Sequence, residues 1–276
     1  MPYFSHRGRR LHFTDDSEGR GEPLLLLHGL GSRGSDWRPQ IDGLAGEFRV
    51  LTLDFPGHGD SDPIDGPVTI ADLARDVRAL LDHLQMVRAH VVGLSLGGMV
   101  LFQLLADSPE RLNSITVINS GPGLVSGQWR MKLLVAFRTL LIHSFGLPAL
   151  AKKIAPKLFP RTEQQPLRDE FLRSIAAADK KSYLRVLRAI GAFNVCEKVA
   201  GSRIPALILS ADNDYTPVSY KAGYTAQLGN ARLSVIENSG HASPMDQPQA
   251  CNQLIREFLR EISEKEEKPL GKITAN

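Results

Sequence analysis

The chain has 276 residues, of which 42% are hydrophobic and 23% charged, proportions of a globular chain able to bury a sizeable core. Its net charge of +3 is too mild to argue for a nucleic-acid partner. The two cysteines, Cys196 and Cys251, form no CxxC pair, so neither a disulfide framework nor a zinc site is indicated.

The first residues, MPYFSHRGRR, lack the apolar core of a secretory signal, and the longest purely aliphatic run, LLLL at 24–27, is too short to span a bilayer. A cytoplasmic chain with no membrane span is expected. YFSHRGRRLHFTD reads as a hairpin turning near Arg7 and Gly8. PLLLLHG and FRVLTLDFPG read as buried strands, and SDWRPQIDGLAGEF between them as a helix capped by Ser35 or Asp36. TIADLARDVRALLDHL places Ile70, Leu73, Val77, Leu80, Leu81 and Leu84 on one helical face. HVVGLS, NSITVINSG, PALILSA and RLSVIENSG continue the strands, and GGMVLFQLLADSP is a helix after the first of them.

This alternation predicts an α/β fold, a mostly parallel doubly wound sheet with helices on both faces. One stretch interrupts it. Between Pro122 and Ala200 only helical patterns occur, among them a stripe of Leu133, Leu134, Phe137, Leu140, Leu141 and Phe145. The expected organisation is a core of residues 1–121 and 201–262, an inserted helical cap at 122–200 and a disordered tail at 263–276.

The chemistry centres on AHVVGLSLGGMV. A strand handing over to a helix through Gly-x-Ser-x-Gly is the setting of a nucleophile elbow, where Gly93 and Gly97 remove side chains that would clash. That turn exposes Ser95 and aims the N–H of Leu96 at a developing oxyanion. A serine needs a base and an orienting acid. His241, in the loop of VIENSGHASPMDQP, is the candidate base. His28 and His58 suit loop packing, and His6, His12, His83, His90 and His143 lie inside strand or helix patterns. ALILSADNDYTP offers Asp214 as the acid, three residues past the strand end, with Asp212 as the alternative acid or a turn cap.

With HGLG at 28–31, DFPGHGDSD at 54–62, GLSLGGM at 93–99, the acid loop and SGHASPMDQP, the chain resembles the α/β-hydrolase superfamily over nearly its whole length. The GLSLGGM motif is similar to that of the 3-oxoadipate enol-lactonase group. Serine at position 95 separates it from dehalogenases and epoxide hydrolases, which use aspartate there. The resemblance implies an α/β-hydrolase fold and a second oxyanion donor, the backbone N–H of Leu30. The expected activity is a serine esterase, with no cofactor and no metal, acting on a carboxylic ester, lactone or thioester through an acyl-enzyme. A C–C bond hydrolase or perhydrolase on the same fold is the alternative.

Two rival readings stand beside it. GLGSRG at 29–34 is literally G-x-G-x-x-G after a strand, with Asp54 twenty residues beyond Gly34, the outline of a nicotinamide-dependent enzyme. Its helix starts after the glycines, which misplaces the N-terminus for a pyrophosphate. A non-catalytic binding protein on the same fold is the other. Residues 122–200 hold 14 Lys and Arg against 5 Asp and Glu. Such a cap is either a solvated basic face or an attractor for an anionic or carrier-bound ester substrate.

Overall fold

The computed structural model describes residues 2–15, 21–123 and 128–267, with side chains described for all of these but 128–132 and 266–267. The chain opens with β1 (Tyr3–His6), β2 (Arg9–Asp15) and β3 (Glu22–Leu27), followed by α1 (Arg38–Leu44) and β4 (Phe48–Leu53). Then come α2 (Ile70–His83), β5 (Ala89–Leu94), α3 (Leu96–Asp107) and β6 (Leu112–Ile118). Three longer helices follow, α4 (Gln128–Leu158), α5 (Gln165–Ala177) and α6 (Lys180–Ala192), with a short α7 (Cys196–Val199). The chain closes through β7 (Ala206–Ala211), α8 (Val218–Thr225), β8 (Ala231–Ile236), α9 (Ser243–Asp246) and α10 (Pro248–Glu267).

The strands form one sheet in the order β1-β2-β4-β3-β5-β6-β7-β8. The β1–β2 and β2–β4 pairs are antiparallel and every other pair is parallel. Arg7 and Gly8, both at positive φ, make the tight turn of the first hairpin. Alternate residues of each strand feed opposite faces. Leu25, Leu27, Val91 and Ile115 pack with α2 and α3 on one side, whereas Leu24, Leu26, Val92 and Leu207 pack with α1 and α10 on the other. The leucine run at 24–27 is thus a strand buried on both faces, as a central parallel strand must be.

Two local expectations need correction, and the stripe on α4 proves divided. The first helix begins at Arg38 after a 3-10 turn at Gly34–Trp37, because Asp36 turns its carboxylate back to Ser32 Oγ at 2.5 Å instead of capping forward. Leu133, Phe137, Leu140 and Phe145 of that stripe are exposed, whereas Leu134 lines the cavity described below and Leu141 packs on the small core that holds the fully buried Ile142. α4 makes most of its helix contacts with α5 and α6, and its C-terminal end packs Leu158 against Phe159 and Ala242. The last helix runs to Glu267, through the start of the tail expected to be disordered. Ile262 is buried there, and Ser263 donates to the Leu259 carbonyl and to Glu22. The rest of that tail, 268–276, lies outside the described residues.

Counting aliphatic runs also overlooks Leu133–Leu158, which is long and apolar enough to cross a membrane. In this fold it is broken at Gly146 (φ 79°) and helps to build a small second core with Ile175, Tyr183, Leu184 and Leu187.

Candidate active site

Ser95 sits between the end of β5 and the start of α3 with φ 53° and ψ −109°, a conformation costly for any residue with a Cβ. Two glycines permit it. A Cβ on Gly93 would lie 2.5 Å from the carbonyl group of Gly97, and one on Gly97 would lie 2.1 Å from the Leu27 carbonyl oxygen on β3. The serine backbone is held from both ends: its N–H donates to the Ile118 carbonyl at 3.0 Å, and its carbonyl accepts from Ser120 Oγ at 2.6 Å. The N–H groups of Leu30 and Leu96 have no acceptor among the described residues. Both flank the serine, one from the loop after β3 and one from the first turn of α3.

The second half of the site comes from the loops after β7 and β8. His241 Nδ1 lies 2.7 Å from Asp214 Oδ1. Asp214 is fully buried, and its other oxygen meets the fully buried ammonium of Lys221 at 2.6 Å and the Thr216 hydroxyl. Burial alone would raise the Asp214 carboxyl, but the bond from His241 and the charge of Lys221 outweigh it and hold the group at about 2. A permanently ionised Asp214 places the imidazole proton on Nδ1 and leaves the Nε2 lone pair open as an acceptor.

That lone pair is already used. The Tyr215 hydroxyl lies 2.5 Å from Nε2, and its ring leans on the imidazole with centroids 4.0 Å apart. Tyr215 lines the same cavity as Ser95. Burial of the phenol, then the nearby Asp214 charge, push its pKa up, so Tyr215 keeps its proton and donates it to His241. No hydrogen bond joins Ser95 to His241 among the described residues; the tyrosine hydroxyl holds Nε2 instead.

Two further groups position the histidine loop. Asn119, itself at positive φ, donates to the His241 carbonyl at 2.9 Å and Ser243 Oγ at 2.8 Å, and accepts from Ala211 N–H at 2.8 Å. Asp212 accepts from the N–H groups of Asn238 and Ser239, both at 2.9 Å. It therefore clamps the neighbouring loop, whereas the sequence suggests a cap of its own turn or an alternative acid.

The other histidines have packing partners. His28 is fully buried; its Nε2 accepts from Phe55 N–H at 3.0 Å, so Nδ1–H donates to the Gly29 carbonyl at 2.8 Å. Burial, and next to it His28, push the neighbouring His58 down to about 3. The glycine-rich G-x-G-x-x-G stretch is closed internally: Asp54 accepts from Gly34 N–H at 2.6 Å, Asp60 N–H at 3.0 Å and His12 Nδ1 at 2.8 Å. The carboxylate expected to meet a ribose is thereby spent on its own loops. These same contacts explain why His12, Asp54 and Asp60 cluster as a metal site would.

Ser95, His241 and Tyr215 open on a cavity of about 180 Å³. Its wall is mostly apolar, with Met99, Leu134, Ile154, Phe159 and Phe171 among the lining side chains. Leu134, Ile154 and Phe171 belong to α4 and α5, so the inserted helices roof the site. Tyr215, Lys221 and Asn119 are the site residues that sequence reasoning misses. Lys221 carries a usable signal, a lysine on the α8 face that also presents Tyr224 and Thr225 to the interior.

Comparison with known proteins bears on the fold and the family. Residues 24–254 match the alpha/beta hydrolase family model. A putative carbamate hydrolase RutD of Azorhizobium caulinodans is 30% identical over 270 residues, covering 96% of this chain and 100% of that protein. The 3-oxoadipate enol-lactonase 1 of Acinetobacter baylyi is 26% identical, covering 94% of this chain and 96% of its own. The crystal structure of the enol-lactonase from Burkholderia xenovorans superposes with a TM-score of 0.87 at 27% identity, over 94% of this chain and 100% of that one.

Proposed function

Because the chain belongs to the α/β-hydrolase family and is a hydrolase, we propose that it cleaves a carboxylic ester through an acyl-enzyme formed on Ser95. Ser95 Oγ attacks the carbonyl carbon, and its proton passes to His241 Nε2. The imidazolium is stabilised by Asp214 and returns the proton to the departing alkoxide. The N–H groups of Leu30 and Leu96 hold the tetrahedral oxyanion, helped by the positive end of α3. Water activated by the same imidazole then attacks the acyl-enzyme, releasing the acid and freeing Ser95.

Tyr215 must leave Nε2 before the first proton transfer. The residue as a whole is 47% exposed while its hydroxyl end is buried against His241, so freeing Nε2 takes a rotation of this side chain as substrate enters. The hydroxyl guards the base in the resting site and is displaced in the working one.

The observation that supports this reading most is the 2.7 Å bond between Asp214 and His241, which turns Nε2 toward the cavity containing Ser95. A fluorophosphonate reporter tests it: the label should map to Ser95 and vanish in Ser95→Ala. Labelling elsewhere, or none at all, overturns it. The curated relatives are named for an enol-lactone and a carbamate. A side-by-side panel of short esters, lactones and carbamates therefore ranks the scissile bond, with an ester or lactone expected to lead.

A further inference from the structure

Arg138 stands on α4 and lines the same cavity as Ser95, Tyr215 and His241. It is half-buried and forms no ion pair or side-chain hydrogen bond with any described residue. A guanidinium cannot shed its charge, and its five N–H donors seek acceptors once part of their water is removed.

The other carboxylates of the wall do not meet that need. Asp36 is committed to Ser32 Oγ at 2.5 Å and to the N–H of Arg33 at 3.2 Å. Glu170 is exposed and makes no ion pair with Arg138. Arg138 instead shares the cavity wall with Tyr183 and Tyr215, and the second of these touches His241. Around it Leu134, Ile154, Leu158 and Ile190 make the wall apolar, where a charge pair is screened less than in water.

We infer that Arg138 is a carboxylate-binding group of the substrate pocket, and that the substrate is an ester or lactone carrying a free carboxylate. This rests on the reading of Ser95 as nucleophile. Two parallel N–H···O bonds from a guanidinium fork fix a carboxylate in both distance and plane. Anchored there, the substrate is held at a second point, which orients its carbonyl for attack. The excess of 14 cationic over 5 anionic residues in 122–200 favours the approach of the same anion.

The probes are the p-nitrophenyl hemiester of glutaric acid and neutral p-nitrophenyl pentanoate, which have equal acyl length. Wild-type protein should prefer the hemiester in kcat/KM. Arg138→Gln should lower that preference about ten- to a hundredfold, the loss of one charge-assisted hydrogen bond, chiefly through KM. Arg138→Lys should restore part of it, since it keeps the charge and loses the fork. A preference that stays within twofold in Arg138→Gln overturns the inference. Calorimetric titration of Ser95→Ala protein with the hemiester reads the same contact without turnover. Weaker binding after adding Arg138→Gln supports the anchor whether or not Ser95 is the nucleophile, whereas unchanged binding refutes it. Failure of fluorophosphonate labelling counts against the nucleophile alone.

Discussion

The Tyr215 hydroxyl donates to His241 Nε2 at 2.5 Å, occupying the lone pair that receives the serine proton in the proposed reaction. A base held this way is protected and slowed at once. Removing a neutral hydrogen bond that must break before reaction should speed the reaction by that bond's net value, about 0.5–1.5 kcal/mol. Tyr215→Phe is therefore expected to raise kcat/KM for small neutral esters about two- to tenfold. Steady-state kinetics on one short p-nitrophenyl ester decide it. A tenfold loss would instead make the hydroxyl a proton relay between Ser95 and His241.

Two aspartates two positions apart do different work. Asp214 fixes the imidazole tautomer, so Asp214→Asn should lower kcat by about 10³- to 10⁴-fold. Asp212 uses both oxygens to hold the Asn238 and Ser239 amides, at 2.9 Å each. Asn at 212 keeps one acceptor and loses the charge, so thermal stability should fall while kcat drops less than tenfold, on the order of one lost hydrogen bond. Parallel kcat and Tm measurements on the two variants test the division. Equal kcat losses would mean that Asp212 shares the acid's role.

Most of this framework is legible in the sequence, for identifiable reasons. Gly93, Ser95 and Gly97 form a local device whose sterics depend on chain neighbours, and the strand-end position of His241 follows from the alternation of strands and helices. Choosing Asp214 over Asp212 needed only a count from the end of β7. Lys221, Tyr215 and Asn119 were hidden because their roles are tertiary: each acts on a loop or side chain from another part of the sheet edge. The apolar stripe of α4 shows a complementary limit. Its spacing reveals which residues share a face, but not whether another element covers that face, and Leu133 and Phe145 are left 59% and 72% exposed.

Lys221 and Asp214 form a fully buried pair, with Nζ also donating to the Thr216 carbonyl at 2.8 Å. Lys221→Met leaves Asp214 charged and short of a partner, a change that costs about 3–5 kcal/mol in comparable buried pairs. The Asp214 carboxyl is held at about 2 against an ordinary 3.8. A depressed carboxyl contributes stability above its unfolded value and loses it as pH falls toward its folded value, here from about 4 down to 2. Wild-type Tm should thus fall on acidification through that window. Lys221→Met should start lower at neutral pH and fall less steeply there, because its Asp214 no longer lies so far below the unfolded value. Parallel Tm curves for the two proteins would contradict this account.

Asp76 has the opposite sign and lies far from the cavity. Its side chain is fully buried on α2, neither oxygen has a hydrogen-bond partner, and the nearest basic groups are the Arg9 guanidinium at 3.6 Å and the His6 imidazole at 3.8 Å. Burial raises its carboxyl to about 6, against the lowering effect of Arg9 and Arg7. A folded value above the unfolded one means that the native state holds the proton more tightly, so stability is lost as pH rises from about 4 through 6. An amide of the same shape carries no charge to desolvate. Asp76→Asn should therefore match the wild type below pH 4 and exceed it above pH 6, by about 2–3 kcal/mol from a shift of this size. Urea unfolding at pH 4 and pH 8 reads both ends. A variant less stable than wild type at pH 8 would show that the long contacts to Arg9 and His6 outweigh the cost of burying the charge.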